Sequence, residues 1–341
     1  MSSDTDRTEH SQSPIEYFLE DITYQGKKPR TRTAYERVLS DFESYLESRE
    51  LDFDDANHRD CMAYVHRLRG TVASSTVATY ASYLHRFYDY MVQVGRFEEN
   101  PMSLVLEEID ESINTDPARR DISVVEMRDF FADVSHPLDR AVIGTLLKTG
   151  MRAGELCNLD LRDLKLADSP VAAGHRAHLD GRADAVYVDA APSMGEVYNG
   201  EERTASNKRK RATTIPVDDE LRYLLCHWLA VRPDPRSTAE PLFVSMADEW
   251  GKRLTPDMVH HLVESHARDA GWYRVGGGPE ENVTPHYFRH FFTTHLRDRT
   301  GDRGIVKYLR GDVAKDVIDT YTHDWGNRVR DVYEVNIYSL F

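Results

Sequence analysis

Two segments in the first hundred residues carry the same pattern at the same spacing. Thr31, Tyr35, Leu39, Phe42 and Tyr45 recur as Thr76, Tyr80, Leu84, Phe87 and Tyr90. Steps of three and four residues put each set along one face of an α-helix. An apolar-aromatic stripe of that kind needs an apolar partner, and two such helices supply one another's. Residues 13–105 are therefore expected to form a helical unit, preceded by a disordered polar tail at 1–12. Asn100-Pro101 stops the helical run, because the residue before a proline is driven out of helical geometry. The acidic, weakly apolar stretch LEEIDESINTDPARR follows, and residues 106–119 read as a linker.

A second domain is expected over residues 120–341. Ser123 and Glu126 have capping-box spacing ahead of a helix. Leu138 to Lys148 reads as another helix, stopped at Gly150 by a left-handed cap, and a further one starts near Ala153. The period then changes: AVYVDA alternates as a strand, and TTIPV fits as its partner. Residues 191–207 between them are polar and glycine-bearing, and read as a joining segment. Helices resume at Asp218, with a loop at VGGGPEE. The fold class is thus mainly α, an α+β arrangement with a small antiparallel β-sheet.

The chain has 341 residues, 40% of them apolar, enough for a core in each domain. No apolar run approaches membrane-span length, and the polar N-terminus lacks the apolar stretch of a signal peptide. Cys61, Cys157 and Cys226 are few and lack metal-ligand spacing, so reduced thiols and a cytoplasmic setting are expected. The net charge is −15, which at first sight opposes a nucleic-acid partner. Only nine of the 43 basic residues are lysine, however, and the acid excess is spread along the chain. That balance fits a protein of concentrated salt, where distant charges are screened and local patches decide binding. Lys27, Lys28, Arg30, Arg32, Arg37, Arg67 and Arg69 cluster near the starts of the two striped helices. They suit contact with a duplex backbone, or form an ordinary solvated face.

One stretch concentrates chemistry. TPHYFRHFFTTHL, residues 284–296, holds three histidines, an arginine and four aromatic rings. Thr284 can cap the helix and Pro285 fits its first position. His286 and Arg289 then share a face near the positive end of the helix dipole, while Phe288, Phe292 and Leu296 form the buried stripe. A cation, a titratable donor and free backbone amides at one spot suit a phosphate.

Three more stretches belong beside it: KTGMRAGELCNLDLRDL with Arg152, SNKRKRATTIPV with Lys208, and YLRGDVAKDVIDTYTHDW with Tyr321. Together with HYFR they resemble the tyrosine recombinases, the Xer-type and phage-type integrases, in residue type, order and approximate interval. The composition adds a halophilic archaeal source as an expectation. The resemblance covers most of the chain and implies a helical SAM-like core-binding domain followed by a catalytic domain that acts without metal or cofactor. It implies that Arg152 and Arg289 stabilise charge on the phosphate oxygens, that Tyr321 attacks phosphorus, and that His286 assists proton movement. Lys208 protonates the departing 5′-oxygen by the same analogy, with Lys210 an alternative two residues on. Glu155 resembles the acidic residue supporting the first arginine, or is a plain surface charge. Double-stranded DNA and a homo-oligomer, a tetramer in synapsis, are the implied partners.

The pattern is broken at one place. The family carries Gly-His nine residues before its tyrosine, and here the pair is Gly311-Asp312. An ionised aspartate donates no hydrogen bond, so Asp312 is expected to cap the helix bearing Tyr321. His323 or Trp325 would then supply the missing donor, or the position is dispensable. The tail GNRVRDVYEVNIYSLF either folds on its own domain or, as in relatives, docks on a neighbouring protomer and lies exposed in the monomer. Three rival functions remain: a DNA-binding regulator with weak catalysis, a type IB topoisomerase, and a metal hydrolase using His286, His290 and His295, which helical spacing opposes.

Overall fold

In the computed structural model, residues 12–27, 29–112, 118–171, 174–312 and 325–341 are described, with 325–327 described by backbone alone. They fall into two compact units, within residues 1–117 and 118–341. Among these residues the architecture is mainly helical with small antiparallel sheets, and no helix is long and apolar enough to cross a membrane.

The first unit contains α1 (Pro14–Tyr24), α2 (Pro29–Glu47), α3 (His58–Leu68), α4 (Ser74–Gln93) and α5 (Met102–Glu108). Tyr35, Leu39, Phe42 and Tyr45 of α2 are buried, as are Leu84 and Phe87 of α4. Phe18 of α1 joins them, meeting Tyr35 at 5.3 Å and Phe87 at 5.4 Å edge-on. The twin stripes therefore share one aromatic core. The helical run does not end at Pro101. That proline stands at the N-cap of α5, Asn100 Oδ1 accepts the Met102 N–H at 3.0 Å, and Met102 and Val105 are fully buried. A residue that ends one helix can open the next, since a proline's missing donor costs nothing at a helix start.

The second unit runs α6 (Val124–Asp133), α7 (Pro137–Thr149), α8 (Ala153–Cys157), β1 (Leu164–Lys165), β2 (Ala185–Val188), β3 (Val197–Tyr198), β4 (Glu201–Glu202), β5 (Thr213–Pro216), α9 (Asp219–Val231), α10 (Pro256–Asp269), α11 (Pro285–Thr300), α12 (Arg303–Arg310) and α13 (Trp325–Asn336). The expected box closes at Ser123 and Glu126, and α7 stops at Gly150 with φ +61°. Helix α7 is buried from Ala141 to Thr149 and packs against α9 and α11. Strand β2 pairs antiparallel with β5, Val186 opposite Ile215, and with β1, Val186 opposite Leu164. The joining segment at 191–207 holds the hairpin β3–β4, turned by Asn199 at φ +56° and Gly200 at φ +79°. Asn-Gly is the dipeptide for that turn, a signal the sequence reading passed over.

The tail packs on its own unit, the first of the two alternatives, and does not form the exposed apolar segment of the second. Val329, Tyr333, Tyr338 and Leu340 are buried in the main core, although Val335 stays exposed. Lys148 explains why. Its side chain is wholly buried, with Nζ 2.6 Å from each of Asp218 Oδ2, Glu220 Oε2 and the Tyr338 carbonyl. Glu220 also accepts from Ser339 Oγ and from the Leu340 N–H at 2.8 Å. Burial raises the Glu220 pKa, but hydrogen bonds from Lys148, Ser339 and Leu340 outweigh it and hold the carboxyl below its ordinary value. A lowered carboxyl stabilises the fold above its unfolded value, and loses that contribution as pH falls through the folded one. Glu220→Gln is therefore expected to cost about 1.5 kcal/mol at neutral pH and to flatten the acid side of a melting-temperature profile. Equal acid sensitivity in both chains would remove Glu220 from that role.

Candidate active site

The site is built on the turn that ends α7. Gly150 adopts a left-handed conformation, and a Cβ there would collide with the Phe292 ring of α11. The turn and α11 can thus approach closely only through a glycine. Arg289, one turn before Phe292, uses that proximity: its Nη1 donates to the Gly150 carbonyl at 2.7 Å and to the Arg310 carbonyl at 3.0 Å. The Arg289 residue is 2% exposed, so its guanidinium is fixed by backbone rather than by solvent.

Arg152 stands at the N-cap of α8 with extended backbone. Glu155 accepts from its backbone N–H and from its Nη1, both at 3.0 Å. The Glu155 side chain is wholly buried, which excludes the surface-charge alternative, and its other face meets Arg209 Nη2 at 3.2 Å. Arg209 is itself wholly buried and donates from Nη1 to the Leu309 carbonyl at 3.1 Å. Burial lowers the Arg209 pKa, and Glu155 opposes that shift. A buried carboxylate shared by two guanidinium groups orients both and is neutralised by both.

The remaining arms converge on Asp312. Arg152 Nη2 lies 3.1 Å from Oδ1, while Arg289 Nη2 at 2.9 Å and Arg310 Nη2 at 2.8 Å share Oδ2. The carboxylate faces three arginines; the helix it was expected to cap lies outside the described residues. Gly311 makes the placement possible, closing α12 at φ +72° against the Arg209 side chain, where a Cβ would lie 2.7 Å from Nη1. Burial pushes the Asp312 carboxyl up, but Arg289, Arg310 and Arg152 together hold it below its ordinary value. Arg289 is lowered to about 10, by burial first and then by Arg152, and stays charged at neutral pH. Three cations at one carboxylate form an anion site in the exposed-to-buried transition of the surface.

His286 is exposed on the first turn of α11, and Thr284 makes no side-chain cap bond there, contrary to expectation. Partial loss of water around the ring, then Arg119, Arg289, Arg152 and Arg310, hold the His286 pKa below the ordinary value. His295 points elsewhere, its Nε2 3.3 Å from the Ile122 carbonyl and its ring packed on Phe291.

Lys208 and Lys210 lie in the segment that leads into β5. Asn207 and Arg209 are buried and both lysines are exposed, so the alternation is that of an extended segment. Asn207 is tied down by Asn158 Nδ2 at 2.9 Å and by its own bond to the Asp189 carbonyl at 2.7 Å. The Ser206 carbonyl lies against Gly154 of α8. The segment is thereby pinned to the turn carrying Arg152, which leaves the lysine side chains outward. Tyr321, His323 and Lys28 lie outside the described residues, as does the side chain of Trp325.

In the first unit Lys27, Arg30, Arg32 and Arg37 are exposed around the start of α2, Arg37 lying 5.9 Å from the Tyr80 ring. Arg67 pairs with Asp41 at 3.0 Å between the Tyr45 and Tyr64 rings, and Arg69 forks onto Glu111 at 2.5 and 2.8 Å. Those two arginines meet carboxylates, whereas the α2 group forms the open basic surface. The sequence reading missed Arg310 and Arg209. The signal for Arg310 was its place one residue before the left-handed glycine and two before the unexpected aspartate; Arg209 was hidden between two more conspicuous lysines.

The profile of the phage integrase family matches residues 124–328, and that of the phage integrase N-terminal SAM-like domain matches 15–95. The chain is 23% identical over 316 residues to tyrosine recombinase XerC of Pelobacter propionicus, covering 92% of this chain and 90% of that one. Its fold is similar to that of the Tn1549 transposon integrase in complex with a circular intermediate DNA, with TM-score 0.64, 17% identity and 95% of each chain covered. It is also similar to a lambda integrase tetramer bound to a Holliday junction, with TM-score 0.59, 14% identity, and 90% of this chain and 78% of that one covered. With both profiles matched in order and the first alone spanning more than half of the sequence, the chain belongs to the phage integrase family, the site-specific tyrosine recombinases.

Proposed function

We propose that this recombinase cleaves and rejoins double-stranded DNA through a 3′-phosphotyrosyl intermediate formed by Tyr321. Arg152 and Arg289 hold the scissile phosphate and offset the charge that grows on its non-bridging oxygens. Tyr321 attacks phosphorus and the 5′-oxygen departs, taking a proton from Lys208; His286 relays the nucleophile's proton. The phosphodiester's energy stays in the phosphotyrosyl bond, so a 5′-hydroxyl can reverse the step. The basic start of α2, with Lys27, Arg30, Arg32 and Arg37, contacts the duplex backbone. The single observation supporting this reading is the convergence of Arg152 and Arg289 on one carboxylate, an anion held as a phosphate would be.

The proposal extends to assembly and setting. Four protomers act on two sites, a stoichiometry supported by the lambda integrase tetramer bound to a Holliday junction. The acid-rich, lysine-poor composition supports a cytoplasmic protein of a halophilic archaeon, working in salt that would strip a less locally basic surface from DNA.

The experiment is a randomised pool of nicked duplexes, in which the strand beyond the cut diffuses away and traps the adduct. The expected product resists denaturation, and mass mapping puts the DNA on the peptide carrying Tyr321. DNA retention with no adduct would favour the other reading that Asp312 supports, a DNA-binding regulator with its phosphate site filled. Relaxation of unrelated supercoiled plasmids would instead point to topoisomerase behaviour.

The His286 imidazole sets the pH response. A lowered pKa means the neutral, proton-accepting form predominates at neutral pH. Adduct formation is expected to rise with pH below the ordinary imidazole range and then level off, and His286→Ala to lose about a hundredfold in rate together with that limb. A rise continuing unchanged in the alanine chain would assign it to another group.

A further inference from the structure

Three guanidinium groups meet at Asp312, yet the proposed reaction uses two. Arg310 is the third, and it replaces nothing among the residues the resemblance supplies. It sits at the last position of α12, with its side chain 29% exposed and its Nη2 2.8 Å from Asp312 Oδ2. Its backbone carbonyl accepts from Arg289, so its position is tied to that residue's. The partner is unequal to the charge around it: Arg152, Arg289 and Arg310 surround one carboxylate, and among the described residues the other anion beside Arg152, Glu155, is engaged by Arg152 Nη1 and Arg209. The Asp312 side chain is 34% exposed, whereas Arg289 is 2% exposed and fastened at two carbonyls. Arg289 is thus fixed, whereas the carboxylate, like Arg152 and Arg310, has solvent beside it and can move aside.

We propose that Arg310 is a third phosphate-binding guanidinium, and that Asp312 is a resident anion occupying the position the scissile phosphate takes. This rests on the reading of the site given above. A carboxylate and a phosphodiester each carry one negative charge and present two oxygens on one centre, so the same forks accept either. Exchange of one for the other leaves the local charge balance unaltered. The Arg310–Asp312 pair also answers the loss of the histidine donor: the donor comes from position 310 and its counter-ion from 312. The carboxylate acts as an internal competitor, lowering apparent phosphate affinity by the fraction of time the site is open.

Calorimetric titration of inorganic phosphate into the full chain reads this site without any chemistry. Asp312→Asn keeps shape and removes the competing charge, and is expected to bind phosphate about tenfold more tightly than the parent. Adding Arg310→Gln is expected to abolish that gain, with Arg310→Lys restoring part of it. Asp312→Asn binding no better than the parent, or no phosphate bound by any variant, overturns the competitor. A double variant that keeps the full gain overturns Arg310 as a donor. On a duplex recovered from the nicked pool, Arg310→Gln is expected to slow adduct formation about tenfold or more, and the double variant to remain as slow. Recovery of the parental rate in the double variant would show that Arg310 merely holds Asp312. Phosphate binding as expected in a chain that forms no adduct on any duplex would sink the recombinase roles and leave the anion site standing. Melting temperatures of each variant separate these outcomes from loss of fold.

Discussion

Arg289→Ala is expected to slow covalent adduct formation by about a thousandfold, while retention of duplex DNA in a gel falls far less. The guanidinium is buried, fixed at the Gly150 and Arg310 carbonyls, and aimed at the anion site through Nη2. A donor already held in place costs no reorganisation when charge grows on phosphorus, and in a water-poor site it is worth most. Most duplex affinity comes instead from many screened backbone contacts, which this change leaves alone. Arg289→Lys distinguishes geometry from charge. An ammonium group supplies the positive charge but not a planar fork spanning two carbonyls and an anion, so lysine is expected to recover little of the rate. The alanine chain should also be less stable by about 2 kcal/mol, because it abandons buried carbonyls. A lysine variant near the parental rate would show that position 289 contributes field alone.

The second large effect is on stability. Glu155→Ala is expected to destabilise the unit of residues 118–341 by about 3–5 kcal/mol, since it leaves the wholly buried Arg209 guanidinium without its carboxylate. The same change removes the acceptor for the Arg152 backbone N–H and for Nη1. Glu155→Gln retains an acceptor without the charge and should fall between. Tryptophan fluorescence during urea unfolding measures this cleanly, because Trp228, Trp250, Trp272 and Trp325 all belong to that unit. A midpoint for Glu155→Ala within error of the parent would mean that the Glu155–Arg209 pair does not carry the turn. Glu155→Ala combined with Arg209→Met should regain part of the loss, as replacing both members of a buried pair does.

Particular elements show how far the sequence could be read. The twin stripes of α2 and α4, the box at Ser123 and Glu126, the glycine stop of α7 and the β2–β5 pairing are all local signals, and each is present in the structure. The β3–β4 turn was equally local and was passed over. Helix α5 was missed for a different reason: Pro101 reads as a stop from one side and as a start from the other, and the buried Met102 and Val105 decide between them. The tail was ambiguous in the same sense, since its apolar residues fit any apolar surface. The buried Lys148 amine, surrounded by Asp218, Glu220 and the Tyr338 carbonyl, settles it onto its own unit.

Periodicity, caps and turn residues are properties of neighbours along the chain, so the sequence alone determined most of the helices and the order of the charged motifs. Which charges face one another is a property of packing. Arg152, Arg289 and Arg310 lie on three elements separated by up to 158 residues, and Asp312 meets them only because left-handed glycines at 150 and 311 let those elements close on each other. A side chain read as a helix cap from its neighbours became the centre of an anion site once the fold surrounded it with guanidinium groups. Electrostatic energy depends on distance in space, and separation along the chain does not fix it.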